Sequence, residues 1–232
     1  MKTIKKMTIL LLSLLVSHSL FAQDNIKTHT FNKGEILDIL LIGRKPNKEG
    51  EYKRYRETAV KVAMQKSFKI VQALGIAENV QGNLEPNVFI IGKWDNLITR
   101  EAFLEDIYKD VPDFDEQRRD LFSILNLTYF EMQKNITFSI NKEKYNVVTA
   151  YWKKDKTLFE KFIKQLKKES NKNGGKTIIE LTNGKSPFKY YYLPDYLVIT
   201  EWSSKVDFEK FYKKNIKMDT KGLLNVNQFI LR

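Results

Sequence analysis

Cysteine is absent from the 232-residue sequence. Its absence excludes disulfide bonds, thiolate metal ligands, a cysteine nucleophile and a lipid-modified cysteine behind a signal peptide. A protein without cross-links is held together by its core, and 42% of these residues are hydrophobic. That content is sufficient to form a core in a chain of this length, so we expect a globular protein stabilised by side-chain packing.

Histidine is scarce, since the chain contains only His18 and His29. With neither a cysteine nor a suitably placed histidine, the sequence lacks the residues that activate a serine or cysteine nucleophile. It also shows no group of histidine, aspartate and glutamate at metal-ligand spacing. We therefore expect no metal site and no nucleophilic triad.

Arginine contributes little to the net charge of +12, because the 40 basic residues comprise seven arginines and otherwise lysines. Recognition of nucleic acid favours the planar fork of the arginine side chain. Lys161, Lys164 and Lys168 have the spacing of a solvated helix face. We therefore expect no nucleic-acid partner.

The sequence also lacks a hydrophobic run of the length needed to span a bilayer, about 20 residues. Three lysines within the first six residues precede a shorter apolar stretch, 7–16, and the small residue Ala22 follows. This pattern predicts a signal peptide, 1–22, that is cleaved before Gln23. We expect export to the periplasm or the medium, no membrane association after cleavage, and a polar leader without a clear pattern at 23–34.

Beyond the leader, the same order of strand and helix patterns occurs twice. Residues 35–140 and residues 141–232 each show the pattern strand, helix, strand, strand, helix, strand. The first of these two segments has one extra helix at 113–125. Residues 128–140 read as one long strand or two short ones. Thr99 is the expected N-cap of the second main helix of residues 35–140. We expect two homologous units with these boundaries.

One pair of segments matches in detail. The strands VFIIGKW and YLVITEW end in Trp94 and Trp202, and each is followed by a polar loop and a helix with an inward phenylalanine, Phe103 or Phe208. The opening strands and first helices align at almost the same offset. A shift that is nearly constant over several elements indicates a duplication.

The β-α-β-β-α-β pattern with a tryptophan at the end of the third strand resembles the dimeric α+β barrel superfamily, whose ferredoxin-like units pair their sheets face to face. Segments 90–103 and 198–208 carry the resemblance, with Val198 in place of isoleucine, and it extends over most of residues 35–232. The chain is most similar to small uncharacterised and antibiotic-biosynthesis-monooxygenase-like members. The resemblance implies an α+β fold of two tandem ferredoxin-like units, with antiparallel sheets packed face to face as an intramolecular barrel.

The strand patterns give a physical reason for such a pairing. A ferredoxin-like sheet carries helices on one face, yet strands such as 36–43 are apolar on both faces. The second face must therefore be covered by another sheet. Because a tandem repeat supplies that sheet within one chain, we expect a monomer or a weak homo-oligomer.

The superfamily includes cofactor-free monooxygenases, haem-degrading enzymes, chlorite dismutase-like haem proteins, isomerases and sugar mutarotases. The resemblance to the haem enzymes implies a proximal histidine on a helix, and the predicted helices contain none. The histidine of the mutarotases is also missing. We therefore expect no cofactor, and the resemblance alone does not identify a function.

A polar set on the strand faces is the candidate site. Asp38 and Arg44 share one face of the first strand because their separation is even, and Asn146 and Trp152 are their approximate counterparts in the second unit. If that face looks into the barrel, these side chains converge on one cavity. An apolar cavity with a few polar groups is the usual form of a small-molecule site. The candidate ligand-binding residues are Asp38, Arg44, Asn146, Trp152, Trp94, Trp202 and Tyr192.

Structural roles are the alternative for these residues. Tryptophans at repeated positions are more often part of a core, and Asp38 and Arg44 would also serve as a structural pair at the barrel end. Three functions remain open: an exported small-molecule-binding barrel, a cofactor-independent monooxygenase or isomerase for a small aromatic or cyclic substrate, and a structural module of the cell envelope. An apolar cavity lined by Trp152 and Arg44 favours the first two, and a solid interior favours the third. No catalytic residue is assigned.

Overall fold

The computed structural model of the protein describes residues 25–187 and 190–232. The expected signal peptide lies outside the described residues. The strands of the described chain are β1 (Ile26–Phe31), β2 (Ile36–Arg44), β3 (Lys69–Gln81), β4 (Val88–Trp94), β5 (Phe122–Glu131), β6 (Ile136–Asn141), β7 (Tyr145–Lys153), β8 (Lys176–Thr182), β9 (Tyr196–Trp202) and β10 (Leu223–Leu231).

The helices follow the strands in the order expected for two ferredoxin-like units. They are α1 (Glu49–Tyr55), which continues through a π-helical turn (Arg56–Val60) into α2 (Lys61–Gln65), then α3 (Leu97–Asp110), α4 (Phe114–Leu121), α5 (Lys156–Lys172) and α6 (Lys205–Asn215). None of the helices in the described ranges is both long enough and apolar enough to cross a membrane.

Eight strands form one antiparallel sheet in the order β5-β2-β4-β3-β10-β7-β9-β8. Within β2–β5 and within β7–β10, counted in chain order, the strands lie side by side in the order fourth, first, third, second. This is the ferredoxin-like arrangement. The groups join where β3 of the first half pairs with β10 of the second. We use "first half" for β2–β5 with α1–α4, and "second half" for β7–β10 with α5 and α6.

The sheet curls so that one face of each half lines a shared interior. The apolar side chains of this interior come from both halves and pack into one cluster, so the sheets are packed face to face as the sequence predicts. The barrel is not fully closed, because the described edges meet at one bridge, where Tyr129 and Lys185 exchange hydrogen bonds of 2.8 Å. The cluster includes Leu37, Ile39, Leu41, Phe89, Ile91, Phe130, Val148, Ala150, Leu197, Ile199 and Phe229.

A separate ribbon of β1 and β6 contributes to the same interior. Phe31, Phe138 and Ile140 of the ribbon are buried in the shared cluster. His29 of β1 is also buried and hydrogen-bonded to Gln72 of β3, and burial lowers the pKa of its imidazole. The leader, for which we expect no pattern, therefore contains a strand. No local sequence signal marks this strand, because its partner β6 lies more than a hundred residues away.

Two expected helix boundaries differ from the structure, and the structure decides between the two alternatives for residues 128–140. The helix with the expected N-cap Thr99 starts earlier, because the Asn96 side chain accepts the Thr99 backbone N–H at 2.9 Å and caps the helix. The extra helix ends at Leu121, and Phe122 already belongs to β5. The segment 128–140 contributes to two strands, β5 and β6, with a break between them.

Candidate functional site

A cavity lies outside the barrel, between the sheet of the first half and the helices that cover it. The space between its lining residues, counted together with the open solvent at its mouth, is about 830 Å³. Most of the lining is apolar or aromatic, with a few polar side chains. The wall includes Leu40, Ile42, Tyr52, Tyr55, Ala59, Ala63, Phe68, Ile90, Phe103, Leu104, Leu125 and Leu127, with Asp38, Trp94, Arg100, Arg118 and Tyr190 as its main polar or amphipathic members.

The expectation that Asp38, Arg44, Asn146 and Trp152 converge inside the barrel is wrong. Asp38 and Arg44 do share a face of β2, but that face carries the helices, whereas Asn146 and Trp152 lie on the barrel face of β7. A shift of one residue moves every side chain of a strand to the other face. β2 and β7 are related by such a shift, so the residues matched in the sequence lie on opposite faces of the two strands.

The pairing registers identify the true counterparts. Ile36 pairs with Trp94 in the first half, and Tyr145 pairs with Trp202 in the second. Counting from these positions, Asp38 corresponds to Val147, and Asn146 corresponds to an interior leucine of β2. The first strands are therefore offset by one residue more than the third strands, which the nearly constant shift of the sequence conceals.

Arg44 is exposed at the end of β2. Its Nη2 donates to the Tyr52 hydroxyl at 3.1 Å, and its guanidinium carbon lies 4.6 Å from the centre of that ring. Arg44 lines a small depression on the surface and is not part of the cavity wall. A ligand-binding role for Arg44 stays a prediction, and its position separates it from Asp38.

Asn146, Trp152 and Tyr192 belong to the barrel side. The Asn146 Nδ2 donates to the carbonyl oxygens of Asn141 and Lys144 at 2.7 and 3.0 Å, which fixes the turn between β6 and β7. Trp152 packs edge-on against Tyr192, with the ring centres 5.3 Å apart. The hydroxyl of Tyr192 is buried and has no hydrogen-bond partner within the described residues. A ligand-binding role for these three residues stays a prediction.

The two tryptophans that end β4 and β9 occupy equivalent places in the two helix-facing cores. Trp94 packs against Phe103 and Phe68, and Trp202 packs against Phe208 and Phe211. Their indole N–H groups differ in partner. Trp94 Nε1 donates to Asp38 Oδ2 at 2.8 Å, whereas Trp202 Nε1 donates to the hydroxyl of Thr200 at 3.0 Å.

Asp38 and Arg100 form a buried ion pair in the cavity wall, and each is 1% exposed. The Arg100 Nε lies 3.4 Å from Asp38 Oδ1, and its guanidinium stacks 4.4 Å from the centre of the Tyr129 ring. Burial raises the pKa of Asp38 above its ordinary value, although Arg100 and Trp94 oppose that shift. Arg100 Nη1 has no hydrogen-bond partner within the described residues.

A second basic group lies at the mouth of the cavity. Arg118 of α4 stacks on Phe114 at 4.0 Å and donates to the hydroxyls of Tyr190 and Tyr55 at 3.0 and 3.4 Å. Arg118 and Tyr190 also line an open surface depression next to the cavity. The mouth is therefore positively charged and aromatic.

The cavity exists in the first half because a small residue replaces a large one. Ala59 and Leu166 lie the same number of residues after the N-caps of their helices, and both side chains are buried. Leu166 packs with Phe162 and Trp202 in the core of the second half, where the corresponding space is smaller, about 350 Å³. Ala59 also lies in the π-helical turn, a feature that is frequent at functional sites.

The ion pair is likewise confined to the first half. Arg100 is the fourth residue after the N-cap Asn96, and Phe208 is the fourth after the N-cap Ser204. The second half therefore has Val147 and Phe208 where the first has Asp38 and Arg100. Because apolar residues satisfy the same packing in the second copy, the fold itself does not require the buried charges.

Sequence reasoning missed the residues that define this cavity, namely Arg100, Arg118 and Ala59. One signal was available for Arg100. It occupies an inward position of α3, with Phe103 and Ile107 at helical spacing, and the duplicated helix has a phenylalanine there. A charged residue at an otherwise apolar inward position is a candidate for function.

Comparisons with known proteins extend the assignment of the fold. No model of a protein family matches the sequence, and no curated protein matches it. A mutant chlorite dismutase from Candidatus Nitrospira defluvii has a TM-score of 0.51 and 9% identity, over 87% of this chain and 93% of that one. An anthrone oxidase-like protein has a TM-score of 0.49 and 12% identity, over 88% and 94%. The chain therefore shares the fold of this chlorite dismutase, with two ferredoxin-like units in tandem.

Haem held by a histidine on a helix, which the resemblance to chlorite dismutase-like haem proteins implies, does not fit the described residues. An axial ligand is needed, and the helices in the described ranges carry no histidine. His29 lies in β1 with its Nε2 bonded to Gln72, on the barrel side of the sheet. The described residues also contain no group of three or more histidines and carboxylates placed to hold a metal ion.

Proposed function

We propose that this protein binds a small, predominantly apolar molecule in the cavity of the first half. The observation that carries the proposal is the difference between the duplicated halves. One half is filled by Leu166 and the apolar pair Val147 and Phe208, and the other has Ala59 and a buried ion pair at the same places. A buried charge pair is an expensive way to fill a core, so its retention beside an open space favours a role in binding.

Filling the cavity tests this proposal. We expect Ala59→Leu to abolish the binding of small apolar molecules, because it introduces the side chain that closes the space in the second half. Native mass spectrometry of the purified protein is expected to detect a co-purified small molecule on the unsubstituted chain and none on the variant. The free energy of unfolding should change by no more than about 3 kcal/mol.

A matched control uses the same substitution elsewhere on the first-half helices. Ala102 of α3 is partly exposed and does not line the cavity, so Ala102→Leu is expected to leave ligand occupancy unchanged. If Ala59→Leu and the unsubstituted protein carry the same ligand in the same proportion, the binding site is elsewhere and the proposal fails.

A cofactor-independent enzyme, such as a monooxygenase or isomerase for an aromatic or cyclic substrate, is the second candidate. One observation favours it: burial raises the pKa of Asp38 in the cavity wall, and a carboxylate with a raised pKa is suited to accept a proton. A solved structure with this fold belongs to an enzyme, which is compatible with catalysis. Turnover of a quinol-like substrate that is unaffected by Asp38→Asn would exclude this mechanism.

We also propose that the protein acts outside the cytoplasm. The N-terminal lysines, the apolar stretch and Ala22 support cleavage before Gln23. N-terminal sequencing of the protein recovered from the periplasm or the medium of an expressing bacterium is expected to start at Gln23. A chain that starts at Met1 and stays in the cytoplasm would contradict the proposal.

A further inference from the structure

Arg100 Nη1 is the feature of the cavity that packing does not explain. The guanidinium is held by Asp38 on one side and by the Tyr129 and Trp94 rings, whose centres lie 4.4 and 5.9 Å from its central carbon. Its Nη1 is buried and has no acceptor within the described residues. A buried donor without a partner is costly, and this one belongs to a residue of the cavity wall. An acceptor supplied by a ligand would satisfy it.

The charges near Asp38 determine which acceptors fit. On the two strands that flank β2, Trp94 of β4 donates a hydrogen bond to Asp38, and Tyr129 of β5 is the direct pairing partner of Asp38. From α3, Arg100 provides the positive charge, and the exposed Glu101 accepts a hydrogen bond from the Tyr129 hydroxyl at 2.7 Å. Burial and that bond raise the pKa of Tyr129 to about 12, so Tyr129 stays neutral. The local balance is one buried cation against one buried anion.

An anionic ligand at Arg100 would place a second negative charge beside Asp38. Two anions that share one cation in a low-dielectric site repel each other, which favours protonation of one of them. Asp38 is the group that takes the proton, since its burial already disfavours its charged form. A ligand carboxylate, Arg100 and a neutral Asp38 would then be electrically balanced.

We propose that the cavity binds an aromatic or alicyclic carboxylate, with the carboxylate on Arg100 Nη1, and that Asp38 takes up one proton from solution when this ligand binds. The inference rests on the proposed binding function and adds the chemical class of the ligand. The apolar wall accommodates the ring, and Arg118 at the mouth attracts the anion.

Two probes with the same ring system test the inference: 2-naphthoate and its neutral methyl ester. Calorimetric titration in buffers with different heats of ionisation measures proton uptake. We expect about one proton taken up per 2-naphthoate bound, and an affinity that falls about tenfold per pH unit above the pKa of Asp38 in the free protein. The ester is expected to bind without proton uptake and without this pH dependence.

Substitution of the ion pair provides the decisive comparison. Asp38→Asn keeps an acceptor for Trp94 but removes the negative charge. We expect it to bind 2-naphthoate at least about tenfold more tightly at neutral pH, without proton uptake, and to gain more thermal stability from the probe than the unsubstituted protein does. Arg100→Phe is expected to lose the preference for 2-naphthoate over the ester. Arg56→Met, which removes an exposed arginine that does not line the cavity, should behave like the unsubstituted chain.

The outcomes separate the ligand class from the binding function. If both probes bind, Ala59→Leu abolishes both, and Asp38→Asn changes neither affinity nor proton uptake, then the cavity binds ligands but the carboxylate inference is wrong. If 2-naphthoate binds equally well to Ala59→Leu, it occupies another site, and the inference is also wrong. If neither probe binds and no co-purified molecule is found, both the inference and the proposed function fail.

Discussion

Asp38→Val is expected to lower the free energy of unfolding by about 3–5 kcal/mol, because removal of one partner of a buried ion pair leaves the other charge uncompensated. Arg100 is 1% exposed, so its guanidinium is poorly hydrated once the carboxylate is lost. The substitution also leaves the Trp94 indole N–H without its acceptor. Urea unfolding followed by circular dichroism measures the loss.

The double variant Asp38→Val/Arg100→Phe is expected to recover most of that loss. It installs the residues that the second half has at the same places, Val147 and Phe208, which pack in a core without buried charge. A residual cost of about 1–3 kcal/mol is expected from the unpaired Trp94 N–H, since the second half satisfies its tryptophan through Thr200. If the loss of unfolding free energy in the double variant equals the sum of the losses in the two single variants, the halves are not equivalent at these positions. The comparison on which the proposed function rests would then fail.

Phe229→Ala is expected to cost about 3–5 kcal/mol of unfolding free energy, as for other fully buried phenylalanines. Phe229 is 0% exposed and lies on β10 between Val148 of β7 and Asn79 of β3. Its side chain therefore packs where the sheets of the two halves become one. Leu224→Ala, on the same strand but with 69% of the side chain exposed, is the matched control and should change stability by less than about 0.5 kcal/mol.

The same variant shows whether the halves unfold together. Trp94 reports on the first half and Trp202 on the second, and each can be left as the single tryptophan by Trp→Phe replacement of the other two. Because β10 joins the halves, we expect both reporters to shift to the same lower urea concentration in Phe229→Ala. A shift confined to Trp202 would mean that the halves are thermodynamically independent.

The architecture was predictable because it leaves periodic signals in the sequence. The repeated order of strands and helices and the matched tryptophans identified two ferredoxin-like units, and strands that are apolar on both faces indicated that the sheets cover each other. β2 confirms this reasoning, since its odd-numbered side chains face the shared interior and its even-numbered ones face the helices. The strand β1 was not predictable, because its partner β6 is distant and its own pattern is polar.

The candidate site was harder to predict, for two physical reasons. An error of one residue in aligning Asp38 with Asn146 exchanged the two faces of a strand, and so placed the site inside the barrel, whereas Asp38 lies on the helix-facing side. The cavity itself arises from a missing side chain at Ala59, and an alanine in a helix has no distinctive pattern. Only a comparison of equivalent positions, such as Arg100 with Phe208, shows where the first half departs from its duplicate.

The ribbon of β1 and β6 sets the order in which the molecule can be assembled. Ile26 pairs with Asn141 and Phe31 pairs with Ile136, so the first strand to emerge from a ribosome or a translocation channel has no partner until the whole first half has followed it. During that interval Phe31 cannot be buried against Phe138. The earliest part of the described fold to appear is thus among the last to be completed, because its strand pairing spans more than a hundred residues.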